Sequence, residues 1–187
     1  KKSPPLLYCK GNLELLNEPS VAIVGSRKAD DISLDFTNNI AKNCTKNFEV
    51  VVSGFAKGVD KTALDKTLEA HGRSIIVLPQ GILTFASGYK KYYKQVINGE
   101  VLIVSTFHPK AKWSVGLAMS RNVYIYGLAS KIYVAQTDSK GGTWTGAMDG
   151  INRKRQVYVR YASKKEAKLK EENKKIDKVL KKIDSDN

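Results

Sequence analysis

Six apolar runs punctuate the chain at near-regular intervals, over residues 21–24, 50–52, 75–78, 101–104, 132–135 and 157–159. Between them lie stretches with helical periodicity, near 33–47, 58–71, 89–98, 114–128 and 143–153. Short continuous apolar runs are the mark of strands buried on both faces, and their alternation with helices predicts βαβ units around a parallel sheet. Crossovers between such strands are right-handed. Before the first run, Leu6-Leu7-Tyr8 followed by Gly11-Asn12 predicts a short strand and turn on the sheet edge. After the last, Leu169, Ile176, Leu180 and Ile183 form one narrow apolar stripe among lysines, the pattern of a solvated helix docked on a domain. The expected organisation is an edge segment over 1–17, an α/β Rossmann-like domain over 18–160, and a lysine-rich helix over 161–187. Its sheet should be mainly parallel, with about six strands and helices on both faces.

Composition adds one strong constraint. The 187 residues hold 32 Lys and Arg against 18 Asp and Glu, a net charge of +14. The tail over 161–187 contributes 9 of the basic and 6 of the acidic residues, a net +3, so +11 resides on residues 1–160. A basic globular part favours a polyanionic partner; a surface kept soluble by lysine is the plainer reading. No run approaches a membrane span, and Lys1-Lys2-Ser3-Pro4-Pro5 lacks a signal-peptide apolar region. The start without Met reads as a trimmed fragment. Cys9 and Cys44, with no partner pattern, read as free thiols of a cytoplasmic protein.

The chemistry gathers where strands end. The first run empties into Gly25-Ser26-Arg27-Lys28, where Gly25 permits a sharp exit and Arg27 can grip a phosphate bidentately. Arg27 could equally pair with Asp30 or Asp31. The second run leads into Ser53-Gly54-Phe55-Ala56-Lys57-Gly58-Val59-Asp60, two glycines astride a lysine just before a helix, where backbone amides favour anions. Asp60 suits the helix dipole or, alternatively, a general base. The third loop and the helix after it interleave Phe85, Tyr89, Tyr92 and Tyr93 with lysines, a pattern suited to bases stacked on rings. Phe85, in a loop, is the expected stacking residue, with burial of two of these aromatics as the alternative. The fifth run leads into Lys140-Gly141-Gly142-Thr143, a further phosphate cradle, while Arg121-Asn122 sits within a helical segment. His71 and His108 are isolated, Ser53 lacks triad companions, and neither the dinucleotide fingerprint nor the Walker pattern occurs. The sequence therefore calls for no catalytic residue, metal or cofactor.

Taken in order, these loops resemble the DprA/Smf family of DNA-processing proteins. The likeness runs through Leu7-Tyr8-Cys9-Lys10-Gly11, residues 21–29, residues 53–60, residues 77–81, Arg121-Asn122 with Gly127-Leu128-Ala129-Ser130, and residues 139–147. It implies an extended Rossmann fold that binds single-stranded DNA, forms a homodimer, and delivers the strand to the recombinase RecA in recombination and natural transformation. The implied pocket comprises Gly25, Ser26, Arg27, Lys28, Ser53, Gly54, Lys57, Gly58, Arg121, Asn122, Lys140, Gly141, Gly142 and Thr143, with Arg121 facing the pocket or supporting its floor. The chain departs from the family where Ser105-Thr106-Phe107-His108-Pro109 replaces a Glu-containing turn. It also departs at Pro79-Gln80-Gly81, and at Val123 in place of a second arginine. The family's C-terminal winged-helix-like domain has no counterpart in these residues.

A second family of this fold, the LOG-type nucleotide phosphoribohydrolases, offers the alternative of a nucleotide sensor or hydrolase using the same crevice. Its catalytic Glu falls on Met148 and a required glycine on Trp144. A thioether cannot act as acid or base, so the expectation is a crevice that holds its ligand without cutting it.

Overall fold

The computed structural model describes residues 4–138 and 141–160, and in it one seven-stranded sheet organises the chain. Strand β1 (Tyr8–Gly11) lies antiparallel to β5 (Val101–Ser105), pairing Cys9 with Val104 and Lys10 with Ile103. The other strands are β2 (Ser20–Gly25), β3 (Val50–Ser53), β4 (Ser74–Val77), β6 (Lys131–Gln136) and β7 (Gln156–Val159). All six apolar runs pair in parallel, in the order β1-β5-β4-β3-β2-β6-β7. The seventh strand is the edge segment, shifted two residues beyond the apolar Leu6-Leu7 because pairing with β5 selects the register.

Strand periodicity sorts the core into two layers. Val21, Ile23 and Val51 face α1 (Asp31–Lys46) and α2 (Val59–Glu69); Ile76 and Ile103 on the same side meet α3 (Ala86–Lys91) and α4 (Tyr93–Ile97). Ala22, Val24, Val52, Val77 and Val134 face the opposite way, toward α6 (Asn122–Leu128) and α7 (Gly142–Asn152). Helix α5 (Val115–Ser120) runs straight into α6 through Arg121. The periodic stretch expected over 89–98 is two short helices meeting at Tyr92, whose side chain drops into the core. The lysine-rich helix expected over 161–187 lies outside the described residues.

The strand order places a topological switch beside β2. The chain steps outward from β2 through β3, β4 and β5, then returns to β6 on β2's other side. Open α/β sheets bind ligands beyond the carboxyl ends of strands at such a point. The loops after β2, β3 and β6 converge there.

Candidate nucleic-acid interface

Beneath these loops lies a buried ion pair that the sequence alone did not reveal. Arg121, 4% exposed, donates from Nη1 to the Val77 carbonyl at 2.6 Å, and its Nη2 lies 3.7 Å from Asp60 Oδ2. The backbone N–H groups of Ala56, Gly54 and Gly25 favour the charged form of the Asp60 carboxyl. One pair therefore ties the exits of β2, β3 and β4 to the α5–α6 junction. Burial pushes the Asp60 carboxyl above its ordinary range, against the opposing pull of Arg121 and the three amides. Burial also lowers the Arg121 guanidinium, with Asp60 pulling it back up. Asp60 is thus buried in an ion pair rather than facing solvent as a base would, and the Arg121 guanidinium is turned inward beneath the loops.

Glycine is required where this ion pair passes. A Cβ on Gly54 would overlap the Arg121 guanidinium. Gly58 has φ of +77°, and a Cβ there would strike the Ser26 carbonyl. The Ser53 hydroxyl is also committed, donating to the Ile23 carbonyl at 2.8 Å. Thr143 donates to the Gly25 carbonyl at 3.2 Å, joining the α7 start to the end of β2. These residues shape the site from within.

What reaches solvent is basic. Arg27, Lys28 and Lys57 are exposed on the adjacent β2 and β3 exits, and no ion pair joins them to a carboxylate of the described residues. Asp30 instead accepts from the Ser33 amide at 2.7 Å as the α1 cap and lies 3.9 Å from Arg160. Helices α2 and α7 start at Gly58 and Gly141 without a side-chain cap; in α2 the Val59 and Lys61 amides are taken by the Ser26 and Ala56 carbonyls, so it is the α7 start that can offer amides at this end of the sheet. Ser26, Asn122 and Gly142 are half-buried and Gly141 exposed around the crevice. Lys140 lies outside the described residues.

Phe85, the expected stacking residue, is turned into the core. It is 6% exposed, packed edge-on against Phe55 with ring centroids 4.9 Å apart. The loop closes into a 3-10 turn over Ile82–Thr84 and the helix starting at Ala86, which aims Phe85 into the core. Tyr92 is buried with it, whereas Tyr93 stays exposed. Phe85→Leu should therefore cost about 1–2 kcal/mol in urea unfolding, through lost ring contacts and imperfect filling, and leave oligonucleotide affinity unchanged. A variant of unaltered stability but weakened binding would restore Phe85 to the site.

Sequence reasoning also passed over the far rim, where the loop from β5 exposes Lys110, Lys112 and Trp113. The signal was present: the same interleaving of lysine and aromatic side chains that drew notice to residues 85–94.

Comparison with known proteins accords with this arrangement. The family model described as DNA recombination-mediator protein A matches residues 1–185. DNA processing protein DprA of Streptococcus pneumoniae is 30% identical over 157 residues, 84% of this chain and 55% of that protein. Protein Smf of Synechocystis is 32% identical over 144 residues, 74% of this chain and 36% of the relative. The chain spans about half the length, or less, of the curated relatives it matches. The X-ray structure of the Streptococcus pneumoniae protein superposes with a TM-score of 0.79 at 29% identity, covering 88% of this chain and 58% of that one. DNA processing protein A from Helicobacter pylori, described for its single-stranded DNA binding mode, superposes at 0.77 with 27% identity, covering 88% and 75%. A molybdenum cofactor binding protein from Rippkaea orientalis, at 14% identity and a TM-score of 0.57, shares the fold alone.

Proposed function

This chain belongs to the DNA recombination-mediator protein A family, and from that premise we propose that it binds single-stranded DNA at the exits of β2, β3 and β6. The observation that carries the proposal is the trio Arg27, Lys28 and Lys57, exposed and without carboxylate partners among the described residues, near the uncapped start of α7. Such a rim attracts the phosphate backbone of any sequence, because side-chain charge and backbone amides read phosphate and not base. The crevice holds its strand without cutting it: Met148 offers neither proton donor nor acceptor where a hydrolase would need one. The family resemblance supports two further elements of the proposal, homodimerisation and transfer of the strand to RecA, together with a cytoplasmic setting. No described helix is long and apolar enough to cross a membrane.

A salt titration of oligonucleotide binding tests the reading. Each phosphate contact on a single strand contributes about −0.7 to the log–log slope, so three contacts give about −2. A flat salt response, or stabilisation of the chain by a mononucleotide but not by an oligonucleotide in a thermal-shift panel, would favour the nucleotide-sensor alternative. Arg27→Ala should weaken binding of all sequences alike; unchanged affinity would remove this loop from the site.

A further inference from the structure

Burial of Phe85 leaves the phosphate rim without its expected stacking surface, and the other end of the same rim carries one. We propose that Trp113, flanked by Lys110 and Lys112, is a base-stacking platform for the strand held at Arg27 and Lys57; the inference rests on the single-strand reading of that site. Trp113 is 52% exposed, although a large aromatic ordinarily buries most of its surface. Its exposure is not the fraying of a loose loop. Backbone bonds weld the β4 and β5 exits together, from Gly81 N–H to the Ala111 carbonyl at 2.9 Å and from Leu83 N–H to the Pro109 carbonyl at 3.0 Å. Thr84 Oγ1 adds a bond to the same Ala111 carbonyl at 3.0 Å. On the other side of Trp113, Ser114 caps α5 by accepting from Leu117 N–H at 3.2 Å. The ring is thus displayed from a backbone held two residues before it and one residue after it, and a rigid aromatic loses little entropy on binding.

Place and charge identify the occupant. Ala111 and Trp113 lie at the carboxyl end of β5, on the same end of the sheet as the phosphate rim, with β4 and β3 between them and β2. Three strand spacings of ~4.8 Å set the carboxyl ends of β5 and β2 about 14 Å apart, a gap that a few nucleotides of extended backbone span. Between Glu69 and Asp138 the chain carries eight Lys and Arg but a single carboxylate, Glu100. Lys110 and Lys112 are exposed and make no ion pair with the described residues. An exposed aromatic next to two lysines without described ion pairs, at the same end of the sheet as the phosphate rim, suits alternating bases and phosphates, the combination used by proteins that bind single strands without sequence preference.

The experiment measures affinity for a short single-stranded oligonucleotide and for an abasic strand of equal length. It compares the wild-type chain with Trp113→Ala, Trp113→Phe and Arg27→Ala. Trp113→Ala should weaken the base-bearing strand about 5- to 100-fold, since stacking contributes roughly 1–3 kcal/mol per base, and leave the salt slope and the abasic affinity unaltered. Trp113→Phe should recover most of the loss, and Arg27→Ala should weaken both strands alike. Wild-type affinity in Trp113→Ala overturns the proposal, as does an equal loss on the abasic strand. An altered oligomeric state in gel filtration with unaltered DNA affinity assigns the face to a protein contact and overturns it equally. If neither strand binds even the wild-type chain, the phosphate-rim reading fails first and this one with it.

Discussion

Arg121→Met is expected to destabilise the chain by about 3–5 kcal/mol in urea unfolding, the cost of removing one partner from a buried ion pair. Met matches the unbranched apolar stem of Arg but ends before the guanidinium, so the effect comes mainly from lost charge and hydrogen bonding. Met cannot donate to the Val77 carbonyl, and Asp60 remains buried without its counter-ion. The pH dependence identifies the cause. Burial already raises the Asp60 carboxyl, and loss of the guanidinium raises it further. A carboxyl whose folded pKa exceeds its unfolded value of about 3.9 contributes stability that is fully present below that value and lost as pH rises through the folded pKa. The deficit of the variant should therefore shrink as the pH is lowered from 8 toward 5. Adding Asp60→Asn should recover part of it, since neighbouring substitutions in one network are not additive. Arg121→Lys should fail as well, because a point charge cannot bond Val77 and face Asp60 at once. A stability within 1 kcal/mol of wild type would show that the pair is not what joins the three strand exits.

Reversing the exposed charges has the opposite profile. In Arg27→Glu/Lys28→Glu/Lys57→Glu, stability should stay within about ±0.5 kcal/mol, because all three side chains lie on the surface without described ion pairs. Affinity for single-stranded oligonucleotides should fall at least about a hundredfold at low salt, from three phosphate contacts of roughly 1 kcal/mol or more each. The log–log salt slope should flatten by about 2. Circular dichroism with a salt titration separates the two variants: Arg121→Met unfolds a pocket whose surface is intact, whereas the triple variant keeps the fold and loses the grip. An unchanged slope in the triple variant would place the strand elsewhere.

The hydrophobic pattern located every parallel strand, because a strand buried on both faces must be apolar at consecutive positions and few other elements in a soluble domain are. It also located the strand-end loops with their glycines and cations, since polar punctuation between such runs is local information. Helix continuity was less legible. Periodicity passes through Tyr92, where the chain breaks in order to bury the side chain, and through Arg121, where a cation turns inward and breaks the apolar logic of the pattern. Arginine reads as surface in any composition rule. Only the meeting of Val77, Gly54 and Asp60, far apart in the chain, makes its burial affordable.

Phe85 and Trp113 divide along the same line. Both are aromatics with lysines nearby in the chain, and residue type alone does not distinguish them. Phe85 is buried because Phe55, thirty residues away, supplies an edge for its ring and Gly88 leaves room beneath it. Trp113 is exposed because hydrogen bonds from Gly81 and Leu83 hold its loop on the rim. The fold class, the strand ends and the basic character of the crevice followed from sequence, since each depends on residue type and spacing along the chain. Which side chains line that crevice, which support it and which leave it was decided by tertiary structure, because burial depends on partners that only folding brings within reach.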